Sequence, residues 1–302
     1  TITFASPVPN GGLFYVRWHD WNDNGTSDHF LAIDDVQIVV PAPVIQTNWV
    51  AYNDHAGSGI TAANATRYSM MGYTNVNVPN PVGGLLKDFA SGSEVSAGMV
   101  STATGTPDQF GASAYPTAGT PAYNLFNGIV DVGNNNSMIG VRQSASTTAT
   151  ITFTNLDPAQ RYFFRGTSVR GGNYPRRWTL CTLQGANSYT NAHSPVGTYT
   201  AANFPTGGMT VDQVAYNSGS NNVDGALVGW DNIDPGPDGS FSIKSEQYAP
   251  TTLPNGQTPD LTAYGYALNA IYLAEIGTPP SLRITQHPQS RMVYGGQTAT
   301  FT

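Results

Sequence analysis

The sequence predicts an all-β protein, a jelly-roll or Greek-key β-sandwich with partial β-sandwich segments at both ends. Three observations predict it. Only 10% of the residues are charged, while Gly, Ser, Thr, Asn and Pro fill the difference, a composition that suits pleated strands and tight reversals better than helices. Apolar residues recur at every second position in short runs, and turn clusters separate those runs. The stretch "TATITFTNLDPAQRYFFRGTSV" shows both features at once: Ala149, Ile151 and Phe153 face one way, a Pro-containing corner follows, and Tyr162 and Phe164 resume the alternation. With 302 residues there is room for one large domain or two ordinary ones.

The elements follow in chain order. Residues 1–40 form a head in which "LFYVRW" puts Phe14, Val16 and Trp18 on one face, and "LAIDDVQIVV" continues the period of two. A head this short cannot bury enough surface to stand alone, so it reads as the closing strands of a truncated sandwich. Its "LFYVRWHDWNDNGTSDHFLAIDD" resembles the ending of β-sandwich modules in large secreted bacterial proteins. A Pro-bearing linker, residues 41–46, leads into a middle domain, residues 47–276. There, the spacing Leu156, Pro158, Tyr162 resembles the tyrosine corner of immunoglobulin-like sandwiches, in which a tyrosine hydroxyl bonds backbone across the turn between sheets. "PGPDGSFSI" predicts an Asp238-Gly239 turn feeding a strand with Phe241 and Ile243, and "YGYALNAIYLAEI" predicts a single closing core strand. Together with "RRWTL", these pieces resemble galactose-binding-like jelly rolls of secreted bacterial proteins over about half of the middle domain. After a second linker, residues 277–281, the tail 282–302 resembles the first strands of a bacterial immunoglobulin-like domain through Ile284, Gln286, Pro288, Val293, Gly296, Ala299 and Phe301. Both ends of the chain read as cut. The expected whole is an internal section of a larger surface or secreted protein.

Charge excludes some function classes. Lysine occurs only at Lys87 and Lys244, and the formal charge is −7, so no basic face is available to neutralise nucleic-acid phosphates. No apolar run approaches the roughly 20 residues that cross a bilayer, so no membrane insertion is expected. Cys181, the one cysteine, lies in the alternating "RWTLCTL" and reads as a small buried hydrophobe.

Candidate sites come from three clusters. In "HDWNDNGTSDHFLAIDD", Asp20, Asn22, Asn24 and Asp28 reproduce the first part of a calcium loop. The bidentate carboxylate at position 12 is missing and would have to come from Asp34 or Asp35 on the next strand. Structural calcium on Asp20, Asn22, Asn24, Asp28 and Asp34 is one reading, and a metal-free turn of Asn-Gly and Asp side chains is the other. Asp231, Asp234 and Asp238 could share an ion or simply serve turns, and the resemblance to jelly rolls implies a cation between first and last strands at Asp54 and Glu275. For ligands, "SVRGGNYPRRWTL" sets Arg170, Tyr174, Arg176 and Arg177 around a Gly-Gly loop leading into Trp178. Flat rings cover the C–H face of sugars and charged or amide groups bind their hydroxyls. Trp230 and Tyr248 are further candidates, and the competing reading packs Trp178 in the core and pairs the arginines with carboxylates.

For catalysis, His19, His29, His55, His193 and His287 form no metal or triad spacing, and nothing singles out one of Glu94, Glu246 and Glu275. The leading expectation is a non-catalytic extracellular module for adhesion or carbohydrate binding, with a glycan or neighbouring protein domains as partners. A structural spacer or filament subunit, self-assembling through its terminal strands, is the second. Part of an unrecognised secreted hydrolase is the third.

Overall fold

The computed structural model describes residues 47–55, 61–69, 74–75, 78–79, 81–105, 108–133 and 137–277, and Gln46–Gly277 is one compact unit. The head and tail segments, with the calcium candidates Asp20, Asn22, Asn24, Asp28 and Asp34, lie outside the described residues. The described chain is nearly all β, as its alternating sequence predicts.

In chain order the strands are β1 (Thr47–Asp54), β2 (Thr74–Asn75), β3 (Val78–Pro79), β4 (Gly83–Lys87), β5 (Glu94–Thr104) and β6 (Asp108–Gly111), followed by one short helix, α1 (Pro121–Phe126). Then come β7 (Ser137–Val141), β8 (Thr148–Thr154), β9 (Arg161–Thr167), β10 (Thr179–Gln184), β11 (Ser188–Asn191) and β12 (Thr198–Thr200). The last five are β13 (Gln213–Tyr216), β14 (Val228–Asp234), β15 (Phe241–Gln247), β16 (Gly265–Tyr266) and β17 (Ala270–Ile276).

Two sheets make the sandwich. One has five strands in the order β1-β17-β9-β14-β11, the other seven in the order β12-β13-β10-β15-β8-β5-β4. The pairings β8 with β15, β9 with β14 and β10 with β13 are nested, each antiparallel. They describe a long hairpin wrapped across both layers, which is the jelly-roll path. Small sheets β16-β7-β6 and β2-β3 complete the set.

Alternation explains the layers. In β8 every second residue is buried, ending with Ile151 and Phe153, and β15 repeats the pattern with Phe241 and Ile243. Phe153 meets the facing sheet at Phe164, 5.8 Å away, and within each sheet a second ring flanks the contact: Phe241 lies 5.1 Å from Phe153 and Trp230 lies 6.0 Å from Phe164. Cys181 sits in the same core as a free thiol, pushed up to about 12 by burial. On the far face of the five-stranded sheet, Tyr52 and Ala270 pack with Ala122 and Phe126 of α1 in a second cluster. Covering both faces explains why β9 is buried almost throughout, with only Arg161 and Arg165 partly exposed.

The Asp238-Gly239 turn forms as predicted, with left-handed Gly236 and Gly239 feeding β15. The predicted closing strand does not run unbroken. It divides into β16 and β17, because Gly265 and Tyr266 pair with β7 in the small sheet while Ala270 onward pairs with β1 and β9. Among the described residues no helix is long and apolar enough to cross a membrane.

The corner between β8 and β9 is the tyrosine corner. The Asp157 backbone N–H donates to the Tyr162 hydroxyl at 2.8 Å, and that hydroxyl donates to Glu275 Oε2 at 3.0 Å. It therefore ties the strand crossover to β17. Replacing Tyr162 by Phe leaves a backbone donor and a carboxylate without this partner, so Tyr162→Phe should lower the unfolding free energy by about 1–3 kcal/mol. Urea denaturation reads it directly, and an unshifted midpoint would show that the hydroxyl adds nothing.

Candidate ligand-binding site

β9 ends in the five-stranded sheet and β10 begins in the seven-stranded one, so the connection 168–178 crosses from one layer to the other. Its Gly-Gly pair has a backbone reason. Gly171 adopts a φ of +67°, and a Cβ there would come within 2.5 Å of the Ala114 backbone nitrogen. A Cβ at Gly172 would stand 2.5 Å from the Tyr174 ring. The loop doubles back, and Tyr174 closes over its own glycine. The Gly219 N–H donates to the Arg177 carbonyl at 3.0 Å and fixes the other side of this seat.

The seat places two guanidinium groups on one ring. Arg177 lies 4.2 Å and Arg170 5.3 Å from the Tyr174 centroid, both within cation–π range. Neutral partners hold each of them: Arg177 Nη1 donates to the Tyr266 hydroxyl at 2.5 Å and Arg170 Nη1 to Ser113 Oγ at 2.7 Å. From Tyr266 the row continues to Phe110 at 5.6 Å and then to Tyr264 at 4.6 Å, and Arg142 covers Tyr264 at 4.7 Å. Gly140 lies beneath the Phe110 and Tyr264 rings, where a Cβ would run into both. The Asp108 carboxylate accepts the Tyr264 hydroxyl and anchors that end. Arg176 is fixed alongside, donating to the Thr258 carbonyl at 2.7 Å.

Arginine is used differently elsewhere in the fold. Arg161 pairs with Asp234 at 3.0 Å and Arg165 with Asp231 at 2.6 Å, across β9 and β14. Among the described residues, Arg142, Arg170, Arg176 and Arg177 make no such ion pair. The expectation that carboxylates take up the loop arginines is therefore corrected for Arg170 and Arg177, while Arg176 has the Asp260 charge within reach.

Other predicted site residues fall elsewhere. Trp178 is 3% exposed, donates its indole N–H to the Pro175 carbonyl at 2.8 Å, and packs with Tyr248 and Leu253. Trp230 is fully buried in the main core. Neither ring can cover a sugar, because each is more stable packed between strands than wet. Tyr248 is buried as well, its hydroxyl on the Gly207 carbonyl. Asp54 and Glu275 are not brought together: Asp54 pairs in register with Ala270, and Glu275 with Trp49 at the other end of the β1–β17 ladder. Asp231 and Asp234 are drawn to separate arginines while Asp238 holds Ser240, so the three do not share an ion.

One exposed ring, close in the chain to Ser113 and seated over Gly133, is missed by the sequence reading. Tyr115 is 50% exposed and follows Ala114, against which Gly171 packs. Its signal was available in "GASAYPT", a lone aromatic between small residues and before a proline. An open cavity of about 480 Å³ is lined by residues that include Gln143, the neighbour of Arg142, together with Thr148, Leu180, Glu246 and Tyr248.

One serine and histidine do meet. The Leu268 carbonyl can only accept, so His55 carries its proton on Nδ1 toward that oxygen, at 3.1 Å, and Nε2 accepts from the Ser101 hydroxyl at 2.5 Å. With His55 0% and Ser101 3% exposed, the pair ties β1 to β5 across the two sheets and presents no nucleophile at the surface.

No family model matches the chain, and neither a curated protein nor a solved structure does. What the site does must come from its own geometry.

The buried ionisable groups give a prediction. His55 and His193 are both lowered to about 4, chiefly by burial. Below pH 6.5 the unfolded chain takes up protons that the fold refuses, so this stability, complete above 6.5, is lost as pH falls toward 4. Asp131 acts oppositely: burial first, and then the Asp54 charge, push its carboxyl up to about 7, so the fold gains stability as pH falls from 7 toward 3.8. Two losses against one gain leave a net fall of roughly 1.4 kcal/mol per pH unit around pH 5. Chemical denaturation at a series of pH values should show this slope, flattened in His55→Gln and steepened in Asp131→Asn. Stability that rises from pH 6 to pH 4.5 in the unmodified chain would contradict it.

Proposed function

We propose that this chain is a non-catalytic attachment module of a larger extracellular or cell-surface protein, holding carbohydrate on the loop surface around residues 170–178. The observation that carries the reading is the pair Arg170 and Arg177, held on Tyr174 by neutral partners, with the half-exposed Tyr115 two residues on from the Ser113 that holds Arg170. Guanidinium N–H groups left over after Ser113 and Tyr266 are satisfied suit sugar hydroxyls and carboxylates. Tyr115 offers the flat apolar face that a sugar ring covers. Tyr174 itself acts as the spacer that spreads and orients the two cations. The fold supports such a role by placing these groups on a connection between sheets, where loops are set by a rigid scaffold.

Binding of the full chain to a panel of immobilised polysaccharides tests this. Tyr115→Ala and Arg170→Ala should each weaken binding by roughly tenfold or more, in line with the loss of a central anchor, with unchanged melting temperature. Silence across the panel, or undiminished binding by both variants, would remove the reading.

A further inference from the structure

The row contains more positive charge than attachment to a neutral sugar requires. In a chain of formal charge −7, four arginines, Arg142, Arg170, Arg176 and Arg177, stand together with no ion pair among the described residues. Each is fixed by a neutral acceptor: the Thr262 carbonyl, Ser113, the Thr258 carbonyl and Tyr266 respectively. Such partners orient a guanidinium without cancelling its charge. Nε of Arg142 and Nε of Arg170 are buried with no hydrogen-bond partner, although a buried donor ordinarily finds one. Two carboxylates stand at the row, Asp108 on the Tyr264 hydroxyl and Asp260 on Thr262 with the Arg176 charge nearby, and two against four arginines leave the row an excess of positive charge.

The charges are also divided into two posts. Arg170 and Arg177 share Tyr174, and Arg177 reaches the Tyr266 hydroxyl, while Arg142 covers Tyr264. Tyr264 and Tyr266 are two residues apart on one chain, which in extended backbone is on the order of 7 Å. A ligand with a single anionic group engages one post. A polymer with an anionic group on successive residues engages both, and linked contacts raise its affinity well above that of either post.

We infer that the ligand is an acidic polysaccharide whose carboxylate or sulfate groups recur along the chain, one taken by Arg170 and Arg177 and another by Arg142. This rests on the carbohydrate reading above and names the class of sugar. A nucleic acid fits less well. Its bases need open ring faces, whereas the Tyr174 and Tyr264 rings already carry guanidinium groups.

The experiment compares binding of the full chain to polygalacturonate and to the same polymer with its carboxyls reduced to alcohols, and to a sulfated galactan and its desulfated form. A single-stranded oligonucleotide serves as the competing polyanion. At least one charged glycan should bind tenfold or more tightly than its neutralised counterpart and should weaken steadily as sodium chloride is raised. Whichever pair shows the difference tells carboxylate from sulfate. Arg142→Gln should weaken binding of the polymer several-fold while leaving that of a monoanionic oligosaccharide unchanged, and Arg170→Gln should weaken both. Equal binding of charged and neutralised glycans overturns this inference and leaves the attachment role standing. Absence of binding to all four removes both, and preferential binding of the oligonucleotide overturns the assignment to glycans.

Discussion

The structure depends on one seam of rings between its two sheets. Phe153 of the seven-stranded sheet meets Phe164 of the five-stranded one, and each is flanked by a ring of its own sheet, Phe241 and Trp230 respectively. Contacts of this kind add about 0.5–1.5 kcal/mol per pair beyond the area they bury. They lie on the paired strands β8, β15, β9 and β14 at the centre of the wrapped hairpin. Each link between those strands has to pass from one layer to the other, and the crossings carry what is distinctive: the Tyr162 corner after β8 and the arginine loop after β9. A dense, interdigitated core makes such crossings stiff, because moving a loop base means moving packed rings.

The same side chain serves two purposes here, and its partners tell them apart. Arg161 and Arg165 span β9 and β14 and meet aspartates, so their charge is spent inside the sheet. Arg142, Arg170, Arg176 and Arg177 meet carbonyls, hydroxyls and ring faces. Half-burying a guanidinium without an anion carries a desolvation cost, and ring faces and neutral acceptors offset only part of it. A fold that keeps three such groups, Arg142, Arg170 and Arg177, on one row of rings leaves an attraction for anions unsatisfied.

Features set by neighbouring residues were legible in the sequence. Alternation in "TATITFT" gave β8 its inward Ile151 and Phe153, Asp-Gly gave the turn before β15, and the Leu156, Pro158, Tyr162 spacing gave the corner with its hydroxyl on the Asp157 backbone. The candidate site was legible in part, since Arg170, Tyr174 and Arg177 are close in the chain and meet through a local glycine turn. What failed depended on distant partners. A tryptophan next to arginines looks the same in sequence whether it faces water or, as Trp178 does, Tyr199 and Tyr248. Asp54 and Glu275 do lie on paired strands, but antiparallel register sends them to opposite ends of the ladder, and register is not written in either strand alone. The far half of the row, Phe110, Arg142 and Tyr264, comes from three separate segments that only the small sheet and its flanks bring together.

Glycine placement argues that the row is prepared in advance of any ligand. Gly171 must be left-handed and bare against Ala114, Gly172 must be bare under Tyr174, Gly219 under the Tyr174 carbonyl, and Gly140 under Phe110 and Tyr264. At each position a side chain would displace either backbone or an aromatic ring, so the glycines fix where the rings lie and thereby where the guanidinium groups rest. The ordering of long, flexible arginines, which binding must otherwise supply at about 0.5–1.5 kcal/mol per side chain, is largely complete in the folded chain. Cations held in place by neutral groups can act on a passing anion without first giving up partners of their own. On the proposed reading, that is the physical sense in which this surface would bind rather than merely stand exposed.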